Sequence, residues 1–448
     1  MTCFLARYIS ETRIFSLFDI LICHRNDLKT RKTGFSTLAR ETGIMKREIA
    51  ATFFVFMLFS TLTYNCLIAV KAQTQDLGYT IDMSVTFSNN GTSNWTFTKE
   101  DKAISLFMNN TWQTVQLVNH SYRIESRETD EDGNPLAVLQ FPEPELEPEQ
   151  NVSYTVTYNV ISKPRSLPEV DEETSETLDE IPENLREEYC KAEKNWLIND
   201  PELQELANNI AGGETRILAL VKNYVAWIDS NVKYKTHEVP LYPNETLEFK
   251  EGDCDDKAIL LITLCRISGI PAYLQVGCIY LSETAYLREE YWENHVTVVS
   301  KRIGWHGWAM VYIPPWGWLP VDLTYVRGGL SNPLNAIRGA AVTVQTVIQY
   351  MNVSETDYVA SSRRYKEFLL ENDFYIYEQD EIVEVDPTSP WNELVELLFP
   401  LILIAVVGLT VAVIIVGIVY VTKRKRESRT VQLVQLSEPG RRRNLGFS

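Results

Sequence analysis

Two periodicities divide the chain. From Gln73 to about Lys163, apolar and polar residues alternate with period two, as in Thr80-Ile81-Asp82-Met83-Ser84-Val85-Thr86-Phe87 and Val152-Ser153-Tyr154-Thr155-Val156-Thr157-Tyr158. Such alternation lays one face of a strand on a core and leaves the other wet. Leu136 to Phe141 follows the turn signal Asp130-Glu131-Asp132-Gly133-Asn134-Pro135. Short strands set off by turns predict a β-sandwich over 73–163. No cluster of aromatic or charged residues marks a site there, so it reads as a spacer. From Pro201 the spacing becomes helical: Ile217, Leu218, Leu220, Val221, Tyr224, Val225 and Ile228 make one apolar face. A second helix carries Ala258, Leu261, Ile262 and Cys265, and Gly269-Ile270-Pro271 stops it. Ala272 to Tyr280 reads as a core strand. His306 to Ile313 and Trp318 to Asp322 read as two strands about the turn Pro314-Pro315-Trp316-Gly317. Tyr375 to Tyr377 and Ile382 to Val385 read as late strands. The helix-then-sheet order predicts an α+β domain over 193–345, finished by 346–392.

Two further apolar stretches lack either period. Met45-Lys46-Arg47 precedes Ile49 to Val70, and Val70-Lys71-Ala72 resembles a small-residue cleavage site. Residues 45–72 are thus expected to be a signal peptide, or an uncleaved anchor, since 22 residues span about 33 Å as a helix. Residues 1–44 show no clean pattern and read as a non-structural or mis-called extension. Leu397 to Val421 holds 25 residues and no charge, beyond the roughly 20 needed to cross a bilayer. Lys423-Arg424-Lys425-Arg426 follows, so 422–448 reads as a basic cytoplasmic tail and the part between the apolar segments as outward-facing. The C-terminal helix would bring membrane lipid in as a partner. A core helix is the other reading of 397–421, disfavoured by its length and basic stop.

Charge changes this picture little. The net charge of −18 argues against nucleic acid as a partner, because phosphate binding needs basic surface. Much of the acid is local, in 164–192, which reads as a solvated and poorly ordered linker. Of seven cysteines, Cys190, Cys254, Cys265 and Cys278 fall in the outer part; this is no disulfide scaffold, and a Cys190–Cys278 bridge stays open. Asn90, Asn94, Asn109, Asn119, Asn151, Asn244 and Asn352 begin Asn-x-Ser/Thr sequons, all inside the outer part.

The chemistry concentrates at Gly252-Asp253-Cys254-Asp255-Asp256. Cys254 sits at the start of a helix, where free N–H groups and the dipole favour a thiolate. The flanking aspartates oppose that, so a base is needed. His306 and Asp322 flank one turn at similar distances, which puts them side by side, giving the nucleophile, base and orienter order of a Cys-His-Asp site. His295 competes as the base but lacks a paired Asp-bearing strand, and reads as structural. Cys265, inside the apolar face, reads as packing. Trp305, Trp308, Trp316 and Trp318 suit an acyl-binding cleft or aromatic core equally.

Gly252 to Cys254 opening a helix, Gly269 to Ala272, His306 to Tyr312 and Trp318 to Thr324 together resemble the transglutaminase-like cysteine superfamily, over roughly Pro201 to Tyr325. The resemblance implies a transglutaminase-like (papain-like) domain with Cys254 as nucleophile, His306 as base and acid, and Asp322 as orienter. It implies a protein or peptide substrate at the cell surface, attacked at an amide through a thioester. The superfamily also holds inactive relatives, so the alternative is a non-catalytic cell-surface binding or assembly module of the same fold. A receptor is a third reading, opposed by the short tail. No metal-ligand spacing, phosphate loop or dinucleotide fingerprint is evident, and no cofactor or metal is expected.

Overall fold

The structure, a computed structural model, describes residues 76–192, 194–281 and 285–387, with isolated helical positions between 415 and 426. The expected extension, signal segment, membrane span and tail therefore lie outside the described residues, those few positions excepted. Among the described residues no helix is long and apolar enough to cross a membrane.

The chain begins with eight strands: β1 (Leu77–Asn89), β2 (Trp95–Thr96), β3 (Ala103–Ser105), β4 (Gln113–His120), β5 (Ile124–Thr129), β6 (Pro135–Leu139), β7 (Glu145–Leu146) and β8 (Asn151–Ser162). Helices α1 (Glu183–Tyr189), α2 (Pro201–Ala211) and α3 (Ile217–Asn231) follow, then β9 (Lys233–Tyr234), α4 (Pro243–Phe249), β10 (Glu251–Gly252) and α5 (Cys254–Ile267). The remainder is β11 (Ala272–Tyr280), β12 (Tyr286–Tyr291), β13 (Val296–Lys301), β14 (Ile303–Ile313), β15 (Gly317–Val321), α6 (Asn335–Arg338), β16 (Val347–Val353), α7 (Tyr358–Asn372) and β17 (Phe374–Val385).

The helical half follows its pattern. Asp200 caps α2 by accepting from Glu202 and Leu203 ahead of Pro201, and Gly212 ends it in the left-handed region. All seven apolar positions read for α3 are buried. Helix α5 is buried on every side from Asp256 to Arg266, packed on β14 and against α2, α3 and α4. Each such aliphatic side chain contributes about 1.5–3 kcal/mol by leaving water. Its sheet runs β15-β14-β11-β16, so the histidine strand is an inner strand rather than an edge.

The strand-rich half departs from the expected independent sandwich. The large sheet runs β12-β13-β17-β1-β8-β4, placing β1 between β8 and the late strand β17 over twelve paired residues on each side. The two late strand segments are one strand. A second sheet, β3-β6-β5, shares its core through Phe107, Leu139 and Tyr158. Cys278, Ile303 and Ile348 from the helical half join that same core. Period two identifies a strand but not its partner, which is why the sequence pattern drew a boundary at 163 that the fold does not keep.

The acidic stretch 164–192 is likewise not a loose linker. Val170 and Ile181 are buried in the core of the helical half. Arg338 donates to the carbonyl of Val170, Lys222 pairs with Glu172, and the Glu176 amide donates to Pro314 O at 3.1 Å. Its acids face outward while its few apolar residues are anchored, a distinction that net charge does not register. Six sequon asparagines are exposed; Asn352 is half-buried, its Oδ1 accepting from Gln275 Nε2 at 2.8 Å.

Candidate active site

Helix α5 starts where the motif places it. Asp256 is fully buried; its Oδ2 accepts from the Asp253 amide at 3.1 Å and its Oδ1 from the Leu241 amide at 2.7 Å. One carboxyl thus ties the first turn to the incoming loop. A Cβ at Gly252 would lie 2.7 Å from the Asp256 Cβ, so only glycine admits this arrangement. On the facing strand, a Cβ at Gly307 would lie 3.3 Å from the Asp255 Cβ. The two glycines let the helix start press onto β14.

The pair read from the hairpin is formed. His306 Nε2 lies 2.8 Å from Asp322 Oδ2, with both residues buried. An ionised carboxylate only accepts, so Nε2 carries the proton. Asp322 is itself fixed: Oδ1 accepts from the amides of Thr324 and Tyr325 at 3.0 and 3.1 Å, and Oδ2 from that of Ala341 at 3.1 Å.

Cys254 is placed differently from a sulfur aimed at that imidazole. Its Sγ interacts with the backbone N–H of Gly307, the residue after His306. Among the described residues its only side-chain hydrogen-bond partner is Asp255 Oδ1, at 3.9 Å. Along β14, Ala309, Val311 and Ile313 pack with α5, whereas Trp308 and Met310 belong to a separate cluster. The His306 ring goes with Trp308, 5.8 Å between centroids. Burial, then the Asp255 and Asp253 carboxylates, pushes the Cys254 thiol well up, and the N–H groups of Gly307 and Asp255 pull it back only in part. The lowered thiol expected of a helix N-terminus is thus overturned: desolvation and two like-signed neighbours outweigh the dipole. Burial also raises Asp253, aided by its hydrogen bond to Asp255.

His295 is buried, its Nδ1 2.8 Å from Phe374 O and its ring stacked on Tyr375. Cys265 is buried in the core, and Cys190 and Cys278 are both free. Trp308 is core; Trp318 packs on Tyr189 and Tyr273. Asp253, Cys254 and Asp255 bring one ligand atom each within 4.8 Å of one another. These consecutive residues can cover only one side of an ion.

Cys254 opens onto a cavity of about 730 Å³, within the range of ligand sites. Tyr234, which ends β9, and Thr236 just after it also line it. So do Glu378 and Asp380, which the sequence reading missed. On the inward face of β17 the order is Phe374, Ile376, Glu378, Asp380, Ile382. Two acids on an otherwise apolar face are the signal that could have found them. Met83, Tyr154 and Tyr158 also line the cavity, so the strands taken for a spacer build a wall of it.

Burial, then Asp380, pushes Glu378 up to about 7. Burial pushes Asp380 up to about 6, against the Trp305 indole that donates to it at 3.0 Å. Folded values above unfolded ones mean that the folded chain holds these protons more tightly. Their stabilising effect is complete below the unfolded carboxyl range and is lost as pH rises through 6 and 7. Stability should therefore fall between pH 5 and pH 8. Glu378→Gln should restore on the order of 2 kcal/mol at pH 8 and little at pH 5, read from urea melts. An equal gain at both pH values would assign the effect to packing instead.

Residues 204–323 match the family model described as the transglutaminase-like superfamily. That stretch is a transglutaminase-like domain. The match spans α5, the His306 strand and Asp322. No curated protein matches the chain. Among solved structures, a candidate cysteine protease from Cytophaga hutchinsonii is 15% identical, over 70% of this chain and 93% of its own, with a TM-score of 0.42. The periplasmic domain of TgpA from Pseudomonas aeruginosa is 17% identical, over 56% and 88%, with a TM-score of 0.28.

Proposed function

We propose that the transglutaminase-like domain is a membrane-anchored, outward-facing cysteine enzyme acting on amide bonds of protein or peptide substrates. The observation that carries this reading is the buried His306–Asp322 pair, held at 2.8 Å one residue from the backbone N–H that meets the Cys254 sulfur. Among the described residues Nδ1 of His306 has no hydrogen-bond partner, which leaves it free to accept a proton. In the reaction Cys254 gives its thiol proton to that nitrogen and the sulfur attacks the amide carbonyl. The tetrahedral adduct collapses to a thioester as the leaving amine takes the proton back. Water or a second amine then attacks the thioester, losing its proton to His306, and the thiol is regenerated. Asp322 keeps Nε2 protonated and steadies the imidazolium. A sulfur not yet aligned with its base is common before substrate binds. The apolar segments at 49–70 and 397–421 support the anchor and its orientation.

A non-catalytic surface module is the second reading, favoured by the raised thiol and its lack of a bond to the imidazole. One experiment separates them. The full chain is incubated with a casein-like protein and a labelled amine, with Cys254→Ala as control. Amine incorporation or fragment release lost in the control supports the enzyme and tells acyl transfer from hydrolysis. Neither product in the unsubstituted chain supports the binding module.

A further inference from the structure

A second cavity, of about 450 Å³, shares no residue with the one beside Cys254. Three arginines line it, Arg165, Arg327 and Arg338, against one carboxylate, Glu169. None of the three is ion-paired among the described residues. Neutral acceptors hold them instead. Arg165 donates to the carbonyls of Val342 and Val347, with its guanidinium 5.5 Å from the Trp112 ring. Arg338 donates to Val170 O, and Arg327 Nη2 to Thr343 Oγ1 at 2.9 Å. Burial pushes Arg165 down to about 10, and its Nε is buried without a partner. A buried cation without a counter-charge is costly to keep. Arg327 and Arg338 are exposed and have donors to spare. Their planar forks match phosphate oxygens.

The position of this cavity singles out one anion. Strand β8 ends at Ser162, paired with Leu77 at the start of β1, and Gly78 pairs with Val385 at the end of β17. Arg165 follows at once and donates to the Ser162 hydroxyl at 3.2 Å. The Tyr79 phenol interacts with both Arg165 and Glu384 of β17. A Cβ at Gly78 would lie 3.1 Å from the Pro387 nitrogen. The arginines therefore stand at the end of the sheet where the chain leaves the fold. The apolar segment 397–421 begins ten residues past Pro387 (397 − 387). Ten residues span at most about 36 Å. The cavity beside Cys254 takes Met83, Val85 and Phe87 from farther along β1. That is about 20–34 Å from Leu77.

We propose that the arginine cavity seats the phosphate of an anionic phospholipid headgroup, at the surface of the membrane that holds 397–421, and so turns the Cys254 cavity away from the bilayer. This rests on the reading of 397–421 as an anchor. A lipid is the anion that such an anchor keeps permanently within reach of the exit end. Attraction of basic groups to an anionic surface fades within a Debye length, so it acts on this end of the sheet and not on the far one. The net charge of −18 makes the effect directional, because acidic faces are repelled by the same surface. Glu393 and Glu396 lie in the same ten residues but adjoin the apolar segment, which takes them to the bilayer.

The test uses the full chain reconstituted in vesicles of phosphatidylcholine with a rising fraction of phosphatidylglycerol. Hydrogen exchange read by mass spectrometry follows the backbone amides of 165–170 and 326–344. Exchange there should slow at least about threefold, saturably, as phosphatidylglycerol is added. It should stay unchanged in phosphatidylcholine alone or with added inorganic phosphate. Arg327→Gln and Arg338→Gln should each raise the phosphatidylglycerol fraction needed for half the effect about fivefold. Thermal melts check that both variants fold. The proposal is overturned if phosphatidylcholine or inorganic phosphate gives the same protection, or if the folded variants keep it. It is overturned too if Glu393→Gln combined with Glu396→Gln speeds exchange of the same amides without phosphatidylglycerol, since the chain's own segment then fills the cavity. Alkaline extraction of the membranes separates the two claims. Release of the chain would overturn the anchor and the proposal together; retention without protection would overturn the proposal alone.

Discussion

Asp322→Ala is expected to lower the unfolding free energy by about 3–5 kcal/mol, because it strands several buried hydrogen-bond donors at once. The carboxyl is fully buried and accepts from His306 Nε2 and from the amides of Thr324, Tyr325 and Ala341. Alanine strands all four donors. Each orphaned buried donor costs about 1–3 kcal/mol, and water entering the space recovers part. Asp322→Asn keeps one carbonyl oxygen for Thr324 and Tyr325 but turns an NH₂ toward His306 and Ala341. It should fall between wild type and alanine, unless His306 switches tautomer to accept from it. Urea unfolding followed by near- and far-ultraviolet circular dichroism measures the difference, provided the two probes coincide. A loss below about 1 kcal/mol for alanine would show that the loop 322–326 and Ala341 find other acceptors, and that the carboxylate is not the fixed point from which His306 is held.

That hub was legible from sequence because it is local. His306 and Asp322 flank one hairpin turn, and turn length sets which residues come side by side. Cys254 was legible for a similar reason: Gly252 and Asp253 mark a helix start and Gly269 its end. Other features were out of reach because they depend on pairing or burial. That Glu378 and Asp380 face inward follows only once β17 is known to pair with β1, far upstream. The cavity needs that sheet, α5 and Trp305 at once. The thiol was misjudged because the flanking aspartates were weighed against the helix dipole while burial, the largest cause, was not. In 164–192 the acids were counted and the anchors Val170 and Ile181 were not.

The displaced thiol and the unpaired acids bear on each other. Natural chains rarely keep buried ionisable groups that lower stability at neutral pH without using them. Here such groups share a cavity with Cys254: Asp253 beside it, and Glu378 and Asp380 on β17. Burial makes these carboxyls and the thiol alike hold their protons more tightly than they would in water. Positive charge entering the cavity would favour the ionised form of each by Coulomb attraction.

His306→Ala should then have the largest effect on chemistry, lowering amide turnover about 10³-fold, within the range for loss of a general base and acid. Burial and two carboxylates hold the Cys254 thiol well above its ordinary value, so few sulfurs ionise unaided near neutral pH. Without an acceptor one residue from the sulfur's Gly307 contact, attack must wait for the thiol's own ionisation. The variant's alkylation rate with iodoacetamide should therefore be low at neutral pH and climb steadily through the alkaline range. The unsubstituted chain should label faster at neutral pH. Mass spectrometry must place the label on Cys254, since Cys190 is also partly accessible. Adding imidazole to His306→Ala should recover part of the rate if the lost group is a base. Equal labelling and turnover in both chains would remove His306 from the reaction and leave Cys254 an ordinary half-buried thiol beside a cavity.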